Sequence, residues 1–296
     1  MPARKKAYLF LLGSIAIWGA APAIIKFTLE GIDPLPFLAY RFFISGIAAV
    51  FLILILKLKL PKNAKQVSQL SLYGFLATTI ALGFLFVGLD RTTVLELGLI
   101  GALSPLMIVL GGGLLLREHV TKREKKGIFI ALTGTLITII APIVLSGNSF
   151  KFSGNILLVL FLVSDAGSVL MAKSMLKRNF SPLLIANFAF IVGAFTLIPF
   201  AVYSLGLNSL VETVVSLPLK YHLGVWYMAL MSGTLAYFLF IRGERSIEAG
   251  EAGLFFYLQP IFSIPLAVFW LHEIITLPFI VGALIIAIGV YIAEKR

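Results

Sequence analysis

The sequence predicts an all-α integral membrane protein with ten transmembrane helices, arranged as two inverted five-helix repeats with both termini in the cytoplasm. Three observations predict this fold class: the composition, the number of apolar runs, and a repeat of polar residues in the two halves. Of the 296 residues, 60% are hydrophobic and 12% are charged, and the mean hydropathy is +1.04. A soluble domain has about a quarter of its residues charged, so most of this surface is expected to face lipid.

The apolar runs give the number of helices. A helix needs about 20 apolar residues to cross the hydrocarbon core, and ten runs of suitable length are present. They are Ala7–Phe27, Pro36–Leu56, Leu70–Leu89, Val94–Leu116, Lys126–Leu145, Gly154–Ser174, Pro182–Leu205, His222–Ile241, Ala249–Leu271 and Leu277–Ala293. The first run also has features of a signal peptide, with basic residues before it and Ala21-Pro22-Ala23 as a possible cleavage site. Because the apolar run continues to Phe27, we expect it to remain as a helix.

The basic residues predict the orientation. With the N-terminus in the cytoplasm, 19 of the 24 Lys and Arg residues fall in cytoplasmic segments and 4 on the other side, while Arg41 lies within a span. This asymmetry follows the positive-inside rule and supports ten spans. The net charge of +11 therefore indicates cytoplasmic loops and no nucleic-acid partner.

The sequence does not predict a metal site, a nucleotide-binding site or a cofactor site. The chain has no cysteine and only three scattered histidines, which argues against a metal site. No Gly-x-x-x-x-Gly-Lys phosphate loop is present, so neither ATP hydrolysis nor any cofactor is predicted. An intramembrane enzyme or a channel remains a remote alternative, although no catalytic pair and no ring of like charges can be recognised.

A repeat relates the two halves. Moving the chain by 155 residues places the third to fifth spans on the eighth to tenth without a gap, whereas the first two spans of each half match weakly at an offset of 146 to 148. The matched residues include Thr79 and Thr234, Gly88 and Gly243, Glu96 and Glu251, Pro105 and Pro260, Thr121 and Thr276, Gly127 and Gly282, and Gly134 and Gly289. An odd number of helices per half gives the halves opposite orientations, as in many secondary transporters. We predict repeats at residues 1–146 and 147–296.

A Leu-x-Glu-x-x-Thr element occurs in both halves, from Leu116 to Thr121 and from Leu271 to Thr276. Together with the glycines that follow and with Trp18-Gly19, it resembles the EamA-type family of the drug/metabolite transporter superfamily. The resemblance covers essentially the whole chain. It implies a ten-helix fold and the export of small metabolites, often amino acids.

Two charged residues at membrane depth are the main candidates for the site. A carboxylate at the bilayer centre is costly, so Asp165 in the sixth span is expected to bind a substrate ammonium group, to carry a proton, or to pair with Arg41. Arg41 in the second span is a candidate for binding a substrate carboxylate, for pairing with Asp165, or for reaching the external headgroups. Lys26, at the end of the first span, is expected to reach the headgroups as well.

Further candidates are polar or aromatic residues in the middle of spans. Trp18 lies far from the interface where tryptophan is usual, so it is expected either to line a cavity or simply to pack. Asn187 is a candidate ligand or a link between helices. Tyr237, Tyr257 and Gln259 lie in the eighth and ninth spans, which line the cavity in the family.

Residues near helix ends and breaks are given structural or mechanical roles. Pro105 and Pro260 interrupt the fourth and ninth spans at matching places and are predicted hinges. Glu96 and Glu251 begin these spans, where a carboxylate complements the helix dipole; a gating role is the alternative.

The sequence thus predicts a secondary active exporter of a small metabolite, with amino acids as the first choice and organic cations or polyamines as the alternative. Substrate would bind in a midplane cavity, and protons are a candidate coupling ion. The expected location is the inner cell membrane, as a monomer or homodimer in the lipid bilayer.

Overall fold

The structure, a computed structural model, describes residues 3–61, 63–115, 120–146 and 149–294. All regular structure in these ranges is helical, which confirms the predicted all-α class. The helices are α1 (Ala3–Thr28), α2 (Pro34–Ile55), α3 (Ala64–Arg91), α4 (Val94–Leu115), α5 (Lys122–Ser146), α6 (Ser149–Lys177), α7 (Pro182–Leu205), α8 (Leu207–Val215), α9 (Leu219–Glu244), α10 (Ala249–Phe269) and α11 (Leu277–Glu294).

Within the described residues, eight helices of 21 to 29 residues are long and apolar enough to cross a membrane, namely α1 to α4, α6, α7, α9 and α10. The apolar part of α11, Leu277–Ala293, is shorter. Several helices extend past the predicted apolar runs, because a helix continues into polar turns that a hydropathy pattern does not include. The short helix α8 was not predicted, so the eighth to tenth predicted spans correspond to α9, α10 and α11.

Side chains at the helix starts explain several boundaries. Thr93 precedes α4 and accepts a hydrogen bond from the Glu96 amide at 3.1 Å. Thr121 precedes α5 and accepts from the Glu124 amide at 3.2 Å, while the Glu124 carboxylate accepts from the Thr121 amide at 2.5 Å. This reciprocal arrangement is a capping box, in which Thr121 is the N-cap of α5. Thr276 accepts from the Phe279 amide at 3.4 Å at the start of α11.

Glycines allow the closest helix pairs to form. Helix α5 packs along α11, with Gly127 against the backbone of Gly289 and Gly134 against that of Gly282. A Cβ atom added at Gly289 would collide with the backbone of Ala131. Small residues at such contacts let two membrane helices approach closely, so these glycines are needed for packing.

Two other close helix pairs have the same construction. Helix α3 meets α6 where Gly88 lies against Gly154, and α9 meets α1 where Gly243 lies against Ala7. Helices α2 and α7 also pack together, as do α4 and α10. The result is a bundle whose centre is bordered by α1, α2, α3, α4, α6, α9 and α10.

Candidate functional site

A cavity of about 110 Å³ lies inside the bundle. This volume has room for several water molecules. Most of its wall is apolar, and a few polar groups project from different helices. The polar or aromatic lining residues are Trp18, Arg41, Ser104, Phe161, Asp165, Ser232, Tyr237, Phe256, Gln259 and Ser263. An apolar wall with a few placed polar groups is typical of a small-molecule site.

The structure brings together most of the residues that the sequence singled out. Of the seven predicted ligands, the cavity lining contains Trp18, Arg41, Asp165, Tyr237 and Gln259. The described lining does not contain Asn187 or Tyr257. Asn187 is buried in α7, where its side-chain amide donates to the Leu183 carbonyl at 2.7 Å.

Arg41 is the most buried charge of the lining. Its side chain is only 1% exposed, and Nε and Nη1 have no hydrogen-bond partner among the described residues. The guanidinium carbon lies 5.4 Å from the ring centres of both Phe42 and Phe86. Cation–π contact with these rings offsets part of the cost of burial, but a buried charge without a counter-ion remains unfavourable. An anionic group in the cavity would satisfy it.

Asp165 lines the same cavity from α6 without pairing with Arg41. No ion pair joins the two residues within the described part of the chain, so the structure does not support the alternative in which Asp165 pairs with Arg41, and the other roles stay predictions. The two residues do not pair because the Arg41 side chain is directed to the rings of Phe42 and Phe86. The cavity therefore presents a cationic and an anionic group that are separate from each other.

Trp18 packs in an aromatic cluster and lines the cavity as well. Its ring lies 5.0 Å from that of Tyr237 in an edge contact and 6.0 Å from that of Phe256 in a stacked one. The indole Nε1 donates to the Ser232 carbonyl at 2.8 Å. The two alternatives for Trp18 therefore both hold, since one face packs while the ring also borders the cavity.

The Ser232 carbonyl that accepts from Trp18 lies in an irregular part of α9. Residues Tyr227–Leu235 form π-helical turns in α9, and Phe75–Ile80 form similar turns in α3. Such turns alter the backbone hydrogen bonds and are frequent at functional sites. Ser45 uses the same segment, donating to the Ala229 carbonyl at 3.2 Å. Hydropathy gives no signal for this feature, and sequence reasoning missed it.

The predicted breaks in α4 and α10 are present next to the cavity. Helix α4 is interrupted at Ala102–Leu103, before Pro105, and residues Leu254–Leu258 of α10 form a 3₁₀ segment before Pro260. A proline provides no amide hydrogen for the helix, which explains why both breaks precede one. Pro260 lines the cavity and Pro105 lies outside its described lining. Their role as hinges stays a prediction.

In the second Leu-x-Glu-x-x-Thr element, the glutamate connects the loop after α10 to the start of α4. The Glu273 carboxylate accepts from the amides of Val94 and Leu95 at 2.7 and 2.9 Å, so it caps the start of α4. Burial raises the pKa of Glu273 above its usual value, although these two amides act in the opposite direction. Its counterpart Glu118 lies outside the described residues.

Lys26 was predicted to extend to the lipid headgroups, but it binds backbone carbonyls of another helix instead. Its Nζ donates to the carbonyls of Leu89 and Asp90 at 2.7 and 3.2 Å, at the end of α3. A cation at a helix C-terminus satisfies carbonyls that have no partner within the helix. Lys173 does the same at the end of α9, donating to the Glu244 carbonyl at 2.8 Å. Each lysine therefore connects its own helix to the C-terminal end of another helix by hydrogen bonds.

Apolar membrane-length helices around a cavity with a few polar groups are typical of a membrane transporter. The model of the EamA-like transporter family matches residues 5–140 and again residues 152–294. The chain therefore belongs to the EamA-like transporter family, and the predicted resemblance is confirmed.

Relatives of similar length support this assignment. The uncharacterized transporter YyaM of Bacillus subtilis strain 168 is 28% identical, over 97% of this chain and 93% of the relative. An uncharacterized transporter of Archaeoglobus fulgidus is 25% identical, over 98% and 99% of the two chains. A Salmonella typhimurium LT2 protein named "Probable amino-acid metabolite efflux pump" is 23% identical, over 98% and 94%. These names describe transporters and not enzymes.

A solved crystal structure has a similar fold. The two chains align with a TM-score of 0.62 at 18% identity, over 98% of this chain and 96% of the other. At this identity the likeness concerns the fold alone.

Proposed function

We propose that this protein is a secondary active exporter of small metabolites, most favourably amino acids, and that it works by alternating access at the central cavity. The observation that carries this proposal is the buried Arg41 guanidinium, whose Nε and Nη1 have no hydrogen-bond partner among the described residues, in the same cavity as the Asp165 carboxylate. An amino acid carries one negative and one positive group, and it would complement both. The Salmonella relative named as an amino-acid metabolite efflux pump supports the same substrate class.

The architecture proposed for this activity is ten membrane helices in two inverted five-helix halves, residues 1–146 and 147–296. The contacts between α5 and α11 support it. By the offset of 155 residues, Gly127 corresponds to Gly282 and Gly134 corresponds to Gly289. Gly127 faces Gly289 and Gly134 faces Gly282, which is the reciprocal pattern expected around a two-fold axis. The two matches of the family model agree with this division.

The proposed location is the inner cell membrane, and the proposed orientation has both termini in the cytoplasm. The distribution of Lys and Arg supports this orientation. Substrate would enter the cavity from the cytoplasm and leave on the other side when the halves change their relative position. Asp165 would carry the proton in an exchange of substrate for protons.

Export of organic cations or polyamines is the second candidate. It is favoured by the aromatic rings of Trp18, Tyr237 and Phe256 around the cavity, because aromatic faces and a carboxylate together attract cations. In this alternative Arg41 has no ligand to bind, which makes it the weaker one.

Counterflow in proteoliposomes tests the proposal. Vesicles that contain the purified protein are loaded with a mixed amino-acid pool or with a polyamine pool, and labelled substrate of the same class is added outside. We expect accumulation of labelled amino acid only with the amino-acid pool. Accumulation only with polyamines would replace the proposal by the second candidate, and no accumulation of either by folded protein would reject both.

A further inference from the structure

One ion pair joins the two proposed halves at the end of the bundle where the chain begins. The Arg4 side chain of α1 contacts Glu251 in the first turn of α10, with Nη2 and Nε at 2.6 and 2.9 Å from Oε1. The Tyr8 hydroxyl donates to the same carboxylate. We refer to Arg4 and Glu251 as the N-end pair.

A second ion pair joins the halves at the opposite end. Lys151 of α6 lies with Nζ 2.6 Å from Oε1 of Glu96, in the first turn of α4. Thr92 donates to the other oxygen of this carboxylate. We refer to Lys151 and Glu96 as the opposite-end pair. The Lys151 and Glu96 side chains are 26% and 10% exposed, against 64% and 24% for Arg4 and Glu251.

The two pairs are the same contact made twice with the halves exchanged. Glu96 and Glu251 are counterparts at the offset of 155 residues, and Arg4 and Lys151 stand 147 residues apart, within the offset of the first spans. In each pair the base belongs to one half and the acid to the other. The lysine contacts described above differ, since Lys26 and Lys173 each bind a helix of their own half.

All four helices that carry the ion pairs also border the cavity. Helix α1 carries Trp18 and α10 carries Gln259, while α6 carries Asp165 and α4 carries Ser104. Separation of α1 from α10 would widen the cavity towards the N-terminal end, and separation of α6 from α4 would widen it towards the other end. Each separation breaks one ion pair and leaves the other in place.

We propose that these two ion pairs are the gates of the transport cycle, one for each side of the membrane; this inference rests on the proposed function. The N-end pair closes the side on which the chain begins, and the opposite-end pair closes the other. Each carboxylate also accepts a hydroxyl hydrogen bond, so the two pairs differ mainly in exposure, and the more exposed N-end pair is the more strongly screened by water. The N-end gate therefore opens more readily, and the resting protein is biased towards loading substrate from the side of its N-terminus.

Thiol labelling from each side of the membrane tests this proposal. The chain has no cysteine, so the Ser104→Cys variant carries a single thiol in the cavity. A membrane-impermeant maleimide is added to right-side-out or to inverted vesicles. The labelling rate of Ser104→Cys alone is then compared with the rates of Ser104→Cys combined with Glu251→Gln or with Glu96→Gln. Glu248→Gln is the matched control for Glu251, because Glu248 is an exposed carboxylate immediately before α10. Glu30→Gln is the corresponding control for Glu96.

We expect Glu251→Gln to raise labelling from the N-terminal side roughly fivefold, as expected for the loss of one partly exposed ion pair. Glu96→Gln should raise labelling from the opposite side by roughly tenfold, since that pair is more buried. Arg4→Gln and Lys151→Gln should reproduce the effects of their partners, and they replace the glutamate variants if one of those does not fold.

Equal labelling rates in the gate variants and in their controls would overturn the proposal. It would also be overturned if Glu251→Gln and Glu96→Gln both increased labelling from the same side of the membrane. Labelling requires no substrate, so its result is separate from the counterflow experiment. Side-specific labelling without amino-acid counterflow would keep the gates and remove the substrate assignment. Counterflow without any effect on labelling would keep the substrate assignment and remove the gates.

Discussion

The ends of the bundle and its centre differ in how far the two halves match. At the ends, a basic residue of one half meets the first-turn glutamate of the other half twice, in Arg4 with Glu251 and in Lys151 with Glu96. At the centre, the counterpart positions are chemically different: Asp165 stands 147 residues after Trp18. In the proposed cycle, both ends close in turn around the cavity, whereas a single asymmetric molecule binds between them. Symmetry at the ends and asymmetry at the centre is the arrangement that this division of work requires.

The largest expected effect concerns the centre. Replacing Arg41 by Gln should lower amino-acid counterflow by about 30-fold or more, because it removes the buried partner of the substrate carboxylate. Transport of a cation without a carboxylate should survive. Arg91→Gln serves as control, since Arg91 lies at the end of α3 and outside the described lining. Unchanged amino-acid counterflow in the Arg41 variant would mean that the asymmetry of the centre does not select the substrate.

A smaller loss is expected at the other charge of the cavity. Asp165→Asn keeps a polar group of the same size, so we expect about tenfold slower counterflow and the loss of its pH dependence. Counterflow at two pH values measures both. Asp90→Asn is the control, because Asp90 lies outside the described lining. If the pH dependence is retained in Asp165→Asn, another group carries the proton.

The symmetry of the packing can be tested through stability. Gly134→Ala places a Cβ atom against α11 and Gly289→Ala places one against α5, and overpacking of this kind costs about 1–3 kcal/mol. Because Gly134 and Gly289 are counterparts at the offset of 155 residues, the melting temperatures of the two variants in detergent should fall by similar amounts. Gly83→Ala should have little effect, since nothing lies within 4 Å of its added Cβ. A large difference between Gly134→Ala and Gly289→Ala would contradict the two-fold relation.

The smallest effect is expected from the cap on α4. Burial raises the pKa of Glu273 in the folded protein above its usual value of 4.5, so the folded state binds this proton more tightly than the unfolded state. The contribution of Glu273 to stability is therefore largest at low pH and decreases as the pH rises through the raised pKa. The melting temperature of the wild type should therefore fall as the pH rises through this range. The melting temperature of Glu273→Gln, measured under the same conditions, should lack this part of the pH dependence. Parallel pH profiles would show that Glu273 does not titrate in this range.

Much of the site could be predicted because polar residues are exceptional in apolar helices. Asp165 and Arg41 could be recognised from the sequence as candidates, since a charge at membrane depth is costly, and both line the cavity. Their separation could not be predicted, because it depends on the rings of Phe42 and Phe86, one of which lies in another helix. Asn187 and Tyr257 carry the same kind of signal as Gln259, yet only Gln259 belongs to the described lining. Which face of a helix points inwards depends on its neighbours.

The sequence by itself determined the membrane-helical class, the family and the matched polar positions of the two halves. These properties follow from hydropathy and spacing, which are local or periodic along the chain. Only the tertiary structure decided that Lys26 and Glu273 fasten helix ends, that α3 and α9 contain π-helical turns, and that Arg4 meets Glu251. Each of these depends on which atoms of distant segments approach within hydrogen-bonding distance, and that is fixed only when the helices pack.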